Sequence, residues 1–230
     1  MMLKLVTFRS VLLALILTTL TSISASTPSH VATINAADSK TLTDNSTFFT
    51  IRPDMRRCAS PMCGGYFVKQ VNQLTTSCAN GRNMAECYVA DIEWNGAPEV
   101  DWKQALVRGS FLTRADRNGK YGILNVTETW EAFTSDKPLG DYYRVKDLGI
   151  RCIAAPCETH SEFKLNTALD AKIAGVGLAS NDGNTDALTQ ALKAMTAPEG
   201  VIVVGTNAMV TGPAGRKQTL KATQFYRRKT

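Results

Sequence analysis

The chain has 230 residues, of which 44% are hydrophobic, 7% aromatic and 20% charged. This composition excludes collagen-like, coiled-coil and wholly disordered proteins, and the length allows about one or two domains with cores of their own. The 26 basic and 20 acidic residues give a modest net charge of +6. Only two histidines are present, His30 and His160, which limits metal and acid–base chemistry.

Residues 1–25 are typical of a secretory signal peptide. Lys4 and Arg9 form a positive n-region, an apolar run over 11–20 follows, and Ala25 provides a small residue for cleavage. The apolar run is too short to span a bilayer comfortably, so we predict no membrane span in the mature chain, which would be periplasmic or extracellular. An uncleaved membrane anchor is the alternative.

Residues 26–47 are small, polar and aperiodic, and this composition predicts a disordered leader. His30 lies in this leader, so it is a poor candidate for a rigid site.

The six cysteines that follow indicate disulfides, because an even number in an exported chain is typical of a disulfide framework. Two of the spacings have the same form, Arg-Cys-x4-Cys, and lie 94 residues apart. Pairing within each of them leaves one further pair, and the predicted disulfides are Cys58–Cys63, Cys78–Cys87 and Cys152–Cys157. A four-thiolate zinc site made from both Cys-x4-Cys pairs is the alternative.

The repeated cysteine spacing belongs to a longer internal repeat. The offset of 94 also aligns Asn72 with Asn166, and an offset of 96 aligns Gly109 with Gly205. A turn-rich stretch separates the two copies. We therefore predict two related modules, residues 48–135 and 142–229.

Alternating hydrophobicity predicts five strands in each module. The first module has them at 49–52, 66–71, 88–94, 106–112 and 123–133, and the second at 143–146, 162–166, 172–178, 201–210 and 218–227. Apolar residues at helical spacing predict a helix over 185–196, and residues 98–105 allow one helical turn.

Five strands with a helix between the third and fourth is the element order of an OB-type barrel. The fold class predicted is mainly β with minor α, made of two tandem, internally duplicated OB-like β-barrel modules. A single β-sandwich or barrel built from both halves is the alternative, because element order does not determine strand pairing.

Three segments resemble a bacterial secreted family, domain of unknown function 6748. They are RPDMRRCASPMCGGYFVKQVN at 52–72, YRVKDLGIRCIAAPC at 143–157 and QFYRR at 224–228. The resemblance covers most of residues 48–228 and implies a bacterial exported protein. The family has no established activity, so the resemblance implies no catalytic residues.

The two cysteine loops are the candidate binding loops, because a rigid exposed ring loses little entropy when it binds. The structural alternative is that each ring closes a corner between strands. The loop candidates are Arg56, Arg57, Pro61, Met62, Arg151 and Pro156. His160, which lies close to Glu158 and Glu162, is a further candidate as a base or ligand, although a surface histidine beside glutamates is also common without a role.

No nucleophile elbow, phosphate-binding loop or calcium loop occurs in the sequence. We therefore predict a non-enzymatic secreted binding or structural module stiffened by disulfides, with no cofactor, metal or nucleic-acid partner and with another extracellular protein as candidate partner. An extracellular carboxylate-dependent hydrolase is one alternative, using strand residues such as Asp91, Glu93, Glu128 and Glu131. A protease inhibitor acting through a Cys-x4-Cys loop is another.

Overall fold

The computed structural model describes residues 46–178 and 185–230, and the predicted signal peptide and all but the end of the predicted leader lie outside them. The described residues form a mainly β fold with one α-helix. The elements are β1 (Thr47–Pro53), β2 (Tyr66–Gln70), β3 (Thr76–Ser77), β4 (Asn83–Met84), β5 (Cys87–Val89), β6 (Asp91–Glu93), a 3₁₀ turn (Trp102–Gln104), β7 (Ala105–Asp116), β8 (Gly119–Ala132), β9 (Asp141–Asp147), β10 (His160–Lys164), β11 (Asp170–Ile173), β12 (Val176–Leu178), α1 (Thr185–Ala194), β13 (Val201–Gly212) and β14 (Gly215–Lys229).

The predicted mainly β class with minor α is confirmed, and each predicted strand overlaps an observed one. The third strand of each half is broken into two short strands, β5 with β6 and β11 with β12. The second break lies at Gly175, whose φ of 158° marks an irregular backbone. The short β3–β4 hairpin was not predicted, because two-residue strands show no measurable alternation.

Twelve strands form one sheet, and ten of them follow the order β11-β10-β9-β13-β14-β8-β7-β1-β2-β5. The other two pair in parallel beside this path, β6 with β8 and β12 with β14. The described strands form no closed barrel, so the tandem OB-like barrels predicted from the sequence are not confirmed. The physical reason is that element order leaves open which strands pair, and here strands from both halves share one sheet.

The two halves meet where β8 pairs with β14 in antiparallel register, over Thr129–Ala132 and Tyr226–Lys229. We call this pairing and the cluster beneath it the seam. At its centre Arg227 faces Glu131 across the strands, with 3.5 Å between the guanidinium and the carboxylate. The buried residues of the seam cluster are Phe48, Val71, Leu106, Trp130, Leu165, Ile202, Val204 and Tyr226.

Two asparagines exchange hydrogen bonds between the halves. Asn72 Nδ2 donates to the carbonyls of Tyr142 (2.7 Å) and Leu165 (2.9 Å), and Asn72 Oδ1 accepts from Tyr142 N at 2.9 Å. Asn166 makes the equivalent three bonds to the first half. Its Nδ2 donates to the carbonyls of Phe48 (2.8 Å) and Val71 (3.0 Å), and its Oδ1 accepts from Phe48 N at 2.8 Å.

Both asparagines have a left-handed backbone, with φ of 58° at Asn72 and 57° at Asn166. Asparagine adopts this conformation more readily than most residues, because its short side chain bonds to nearby backbone. Each side chain binds the backbone of the neighbouring half at a point where two segments already meet, since Val71 N donates to Phe48 O and Leu165 N to Tyr142 O.

Each half has its own core on either side of the seam. The buried residues of the first-half core are Phe49, Ile51, Val68, Cys87, Val89, Ile92, Val107, Leu124 and Val126. In the second half, α1 covers the strands with Ala187, Ala191 and the following Met195. The helix is therefore held by its apolar face, as its spacing predicted.

We expect Asn72→Gly and Asn166→Gly each to lower the free energy of unfolding by about 2–3 kcal/mol. Glycine keeps the left-handed backbone, so the loss reports three hydrogen bonds at about 1 kcal/mol each. Urea unfolding measures the change. Asn95→Gly is the matched control, because Asn95 also has a positive φ (35°) but bonds only to the side chain of Asn125 in its own half. Equal losses in all three variants would contradict a role for the exchange.

Candidate ligand groove

The structure joins Cys58 to Cys63, Cys78 to Cys87 and Cys152 to Cys157, which are the pairs that the spacing predicted. Their Cα atoms are 5.6, 5.4 and 6.3 Å apart, within the range of protein disulfides. The alternative of a four-thiolate zinc site is therefore wrong for this structure, because all four sulfur atoms concerned are used in disulfides.

The first cysteine loop is fastened to the sheet on both sides. Asp54 N donates to Gly65 O at 2.8 Å across the base of the loop, and the Tyr88 hydroxyl donates to Pro61 O at 2.9 Å near its tip. Arg56 donates to both carboxylate oxygens of Asp54, at 2.8 to 3.0 Å. These side-chain hydrogen bonds lower the pKa of Asp54 to about 2.

A stack of charged and aromatic side chains continues from this loop along β2 and β5. The Arg52 guanidinium lies 4.2 Å from the Phe67 ring centre, and that of Arg56 lies 5.3 Å from Phe67 and 5.4 Å from Tyr88. Phe67 and Tyr88 meet edge to face at 5.8 Å. Arg52 Nε donates to Glu86 at 2.9 Å, which ties the stack to the next loop.

The second wall is the loop closed by the Cys78–Cys87 disulfide. Within it, Gly81 N donates to Cys78 O at 2.9 Å, and Gly81 has a φ of 78°, so a tight turn forms there. The loop rests on the β7–β8 hairpin, where Thr113 Oγ1 donates to Ala79 O at 3.4 Å. Gly122 permits this approach, because a Cβ at that position would lie 3.0 Å from the Ala79 Cβ.

Between these walls lies a groove of about 700 Å³, which we call the first-half groove. Its apolar lining includes Met62 and Met84, which are 68% and 45% exposed, and the edges of three aromatic rings. Its cationic lining consists of Arg82 on the disulfide loop and Lys120 on β8. The three rings are Phe67, Tyr88 and Tyr121.

The second cysteine loop has different surroundings. Its carbonyl at Ala155 accepts from Ala214 N at 3.1 Å, so it packs on the β13–β14 turn. Arg151 lies 3.7 Å from Asp147, and Ile153 at the tip is fully exposed. The disulfide loop that forms the second wall of the first-half groove lies in the first half, between Cys78 and Cys87.

The structure places the predicted loop residues in different surroundings. Pro61 and Met62 line the first-half groove, whereas Arg56 supports its wall through Asp54. Arg57 is exposed outside the groove. The other three candidates, Arg151, Pro156 and His160, lie in the second half.

The structure does not assemble His160, Glu158 and Glu162 into one site. His160 Nδ1 lies 2.8 Å from the Thr159 hydroxyl, and burial lowers the pKa of His160. Glu158 pairs with Lys217 at 3.2 Å. Glu162 is 4% exposed, and its carboxylate binds other residues than His160.

Glu162 Oε1 accepts from Asn207 Nδ2 at 2.6 Å and from Gln218 Nε2 at 2.8 Å. Its Oε2 atom is buried and has no hydrogen-bond partner among the described residues. Burial raises the pKa of Glu162 above its ordinary value.

None of the four carboxylates of the hydrolase alternative lines the first-half groove. Glu93 pairs with Arg114, Glu131 with Arg227, and Glu128 with Arg108 at 2.8 Å. Asp91 Oδ1 accepts from Ile92 N, so the Asp91 side chain caps the start of β6. Each side chain therefore neutralises or positions a neighbour in the sheet.

The groove residues outside the first cysteine loop were missed by the sequence reasoning. Arg82 and Met84 belong to a stretch that lacks a counterpart in the second half, and such an insertion is the signal that could have pointed to them. Lys120 and Tyr121 lie far from it in sequence, and tertiary contacts bring them near: Thr113 donates to Ala79 O, and Ala90 N donates to Gly122 O at 2.9 Å.

The described part of the chain is thus a mainly β, disulfide-stabilised domain with an apolar groove that carries two cations. A family model described as a domain of unknown function (DUF6748) matches residues 47–230, and the chain belongs to this family. The resemblance seen in the sequence is confirmed. No curated protein and no solved structure matches the chain.

Two further observations apply to residues 46–178 and 185–230. No helix in these ranges has the length and apolar character needed to cross a membrane. Nor do three or more histidine, cysteine, aspartate or glutamate side chains in these ranges gather into a group that could hold a metal ion.

We expect the Asp54 carboxyl carbon to titrate with a midpoint of about 2 in a carbon-13 NMR titration. The interaction with Arg56 then stabilises the loop above the ordinary aspartate pKa and is lost as the pH falls toward 2. Arg56→Gln should move the midpoint up toward about 3.9. Arg57→Gln, which removes a neighbouring cation that does not contact Asp54, should leave it in place; an equal shift in both variants would rule out the specific pair.

Glu162→Gln should raise the melting temperature increasingly as the pH rises above about 4. Because the folded pKa of Glu162 is raised, the folded chain holds a proton that the unfolded chain releases, and stability falls with pH through this window. Glutamine has no charge to bury, so the two proteins should unfold at similar temperatures at lower pH. Calorimetry over a pH series measures this, and a difference that does not depend on pH would contradict it.

Proposed function

We propose that this chain is an exported, disulfide-stabilised binding protein, and that its ligand occupies the first-half groove. The observation that carries the proposal is the groove itself, about 700 Å³ in volume, with apolar walls and a few placed polar groups. This volume lies in the range of about 300–1,000 Å³ found for sites that take a small ligand.

The construction of the walls favours binding. Two disulfides, the Tyr88–Pro61 hydrogen bond and the Arg52–Phe67–Arg56 stack hold the walls before any ligand arrives. A site that is already ordered loses less conformational entropy on binding. Met62 and Met84 are flexible and polarisable, so they can adapt to the shape of an apolar group.

A non-enzymatic role is supported by the charges of the groove. Glu86 is the one carboxylate among its described lining residues, and it is bound to Arg52. A paired-carboxylate mechanism needs two such groups facing the same bond. The inhibitor alternative needs a convex loop that enters a protease, whereas the tip of the first cysteine loop is bound to Tyr88 and forms one side of a concavity.

Export is supported by the signal-peptide pattern of residues 1–25 together with the three disulfides. Disulfides persist in the periplasm and outside the cell and are rare in the reducing cytosol.

We also propose that residues 48–135 and 142–229 descend from one duplicated module with OB-like strand pairing. In the first half, β5 pairs with β2 and β6 pairs in parallel with β8. In the second half, β11 pairs with β10 and β12 pairs in parallel with β14. In each half, the two short segments of the third strand thus pair with different strands, one with the second strand and the other with the last. This pairing is expected in a partly open five-stranded barrel. The reciprocal asparagines, 94 residues apart, support the same origin.

The groove can be tested with peptides selected for binding from a displayed random library. Peptides that bind the wild-type chain should lose at least about tenfold in affinity, ~1.4 kcal/mol, when both groove methionines are replaced, Met62→Gln and Met84→Gln. Glutamine has a similar shape and both positions are exposed, so the fold should be unaffected. Calorimetric titration measures the affinity.

Met55→Gln is the matched control, because Met55 is 83% exposed on the same loop but does not line the groove. Binders that are weakened equally by Met55→Gln and by the groove variants, or by neither, would argue against the groove as the ligand site.

A further inference from the structure

The first-half groove is lined by two cationic side chains that form no ion pair with the described residues. Arg82 and Lys120 line it, and neither forms an ion pair within residues 46–178 and 185–230. The carboxylate of Glu86, which also lines the groove, is occupied by Arg52. A ligand in the groove therefore meets two unneutralised cations.

The two cations come from separate elements, the loop closed by Cys78–Cys87 and the β7–β8 hairpin, which the Thr113–Ala79 hydrogen bond joins. Arg82 lies in the loop closed by Cys78–Cys87, and its backbone is fixed by Cys78 N donating to Arg82 O at 2.8 Å. Lys120 lies at the start of β8, and the adjoining β7 donates from Thr113 to Ala79 of that loop. Their backbone positions are thus set by the fold, while the long side chains remain able to reach a ligand.

The aromatic rings of the groove are placed for side-chain packing more than for base stacking. Phe67 has the guanidinium of Arg52 at 4.2 Å and that of Arg56 at 5.3 Å, and Tyr88 has Arg56 at 5.4 Å. Nucleobases bind single-strand sites by stacking on free aromatic faces. Phe67 and Tyr88 are engaged by cations in this way, and the hydroxyl of Tyr121, the third ring, donates to Asp116 Oδ2 at 3.2 Å. With two thioethers beside them, these rings favour an aliphatic or aromatic side chain as the apolar part of the ligand.

We infer that the ligand of the first-half groove is an acidic peptide segment, with an apolar side chain against Met62 and Met84 and carboxylates near Arg82 and Lys120. This inference rests on the proposed function and adds the chemical class of the ligand. Charge complementarity of this kind selects among partners and speeds their encounter, because a cationic segment is repelled by the same two groups.

The test uses three blocked peptides: acetyl-Glu-Leu-Glu-Phe-amide, its Gln analogue, which has nearly the same shape without the charges, and its Lys analogue, which has the opposite charge. By calorimetric titration, the Glu peptide should bind the wild-type chain at least about tenfold more tightly than the Gln analogue, and the Lys analogue should bind most weakly. The preference should shrink at high salt, because exposed charges are screened.

The double variant Arg82→Gln, Lys120→Gln should bind the Glu and Gln peptides with equal affinity. Two single variants serve as controls for net charge: Arg57→Gln, on the first cysteine loop but outside the groove, and Lys172→Gln, on β11 of the second half. Both should keep the preference for the Glu peptide.

Three results would overturn the inference. One is equal binding of the Glu and Gln peptides, and another is failure of the Glu peptide to bind at concentrations where library-selected peptides do. The third is displacement of the Glu peptide by a single-stranded oligonucleotide that binds more tightly. If library-selected peptides still depend on Met62 and Met84 in these cases, the groove remains the ligand site and the acidic class alone is wrong.

Discussion

The reciprocal bonds of Asn72 and Asn166 are the constraint on which the architecture depends. Strand pairing joins the halves over only Thr129–Ala132 and Tyr226–Lys229, so it supplies a short ladder. The asparagines add six hydrogen bonds across the same junction, three in each direction, and bring Phe48, Val71 and Leu165 into the seam cluster. Because each side chain binds backbone of the opposite half, neither set of bonds can form in one half alone.

This nearly symmetric scaffold carries an asymmetric site. Both halves contribute to the seam, and each has a Cys-x4-Cys loop. Among the described residues, the loop closed by Cys78–Cys87 occurs in the first half alone. That loop forms one wall of the first-half groove and places Arg82 in the lining. In the second half, Glu162 on β10 is buried and is held by Asn207 and Gln218. The groove and the buried glutamate therefore lie in different halves.

The sequence predicted the local features well, because strand alternation, helix periodicity and cysteine spacing all act over a few residues. The helix predicted over 185–196 spans Thr185–Ala194, and the offset of 94 aligns Asn72 with Asn166, whose side chains make equivalent bonds. The shared sheet was not predicted, since the β8–β14 register depends on contacts almost 100 residues apart. The groove was predicted only at Pro61 and Met62, because Lys120 and Tyr121 reach it through tertiary pairing.

The pairing of β14 with strands of both halves has a consequence for the order of folding. A ribosome delivers the first half long before Gly215–Lys229, yet β14 is the strand that pairs with β8, β12 and β13. Trp130 and Leu106 are fully buried, and they pack in the seam cluster with Ile202, Val204 and Tyr226 of the second half. A chain that lacks β14 therefore exposes apolar residues of the seam, and exposed apolar surface of this kind promotes aggregation.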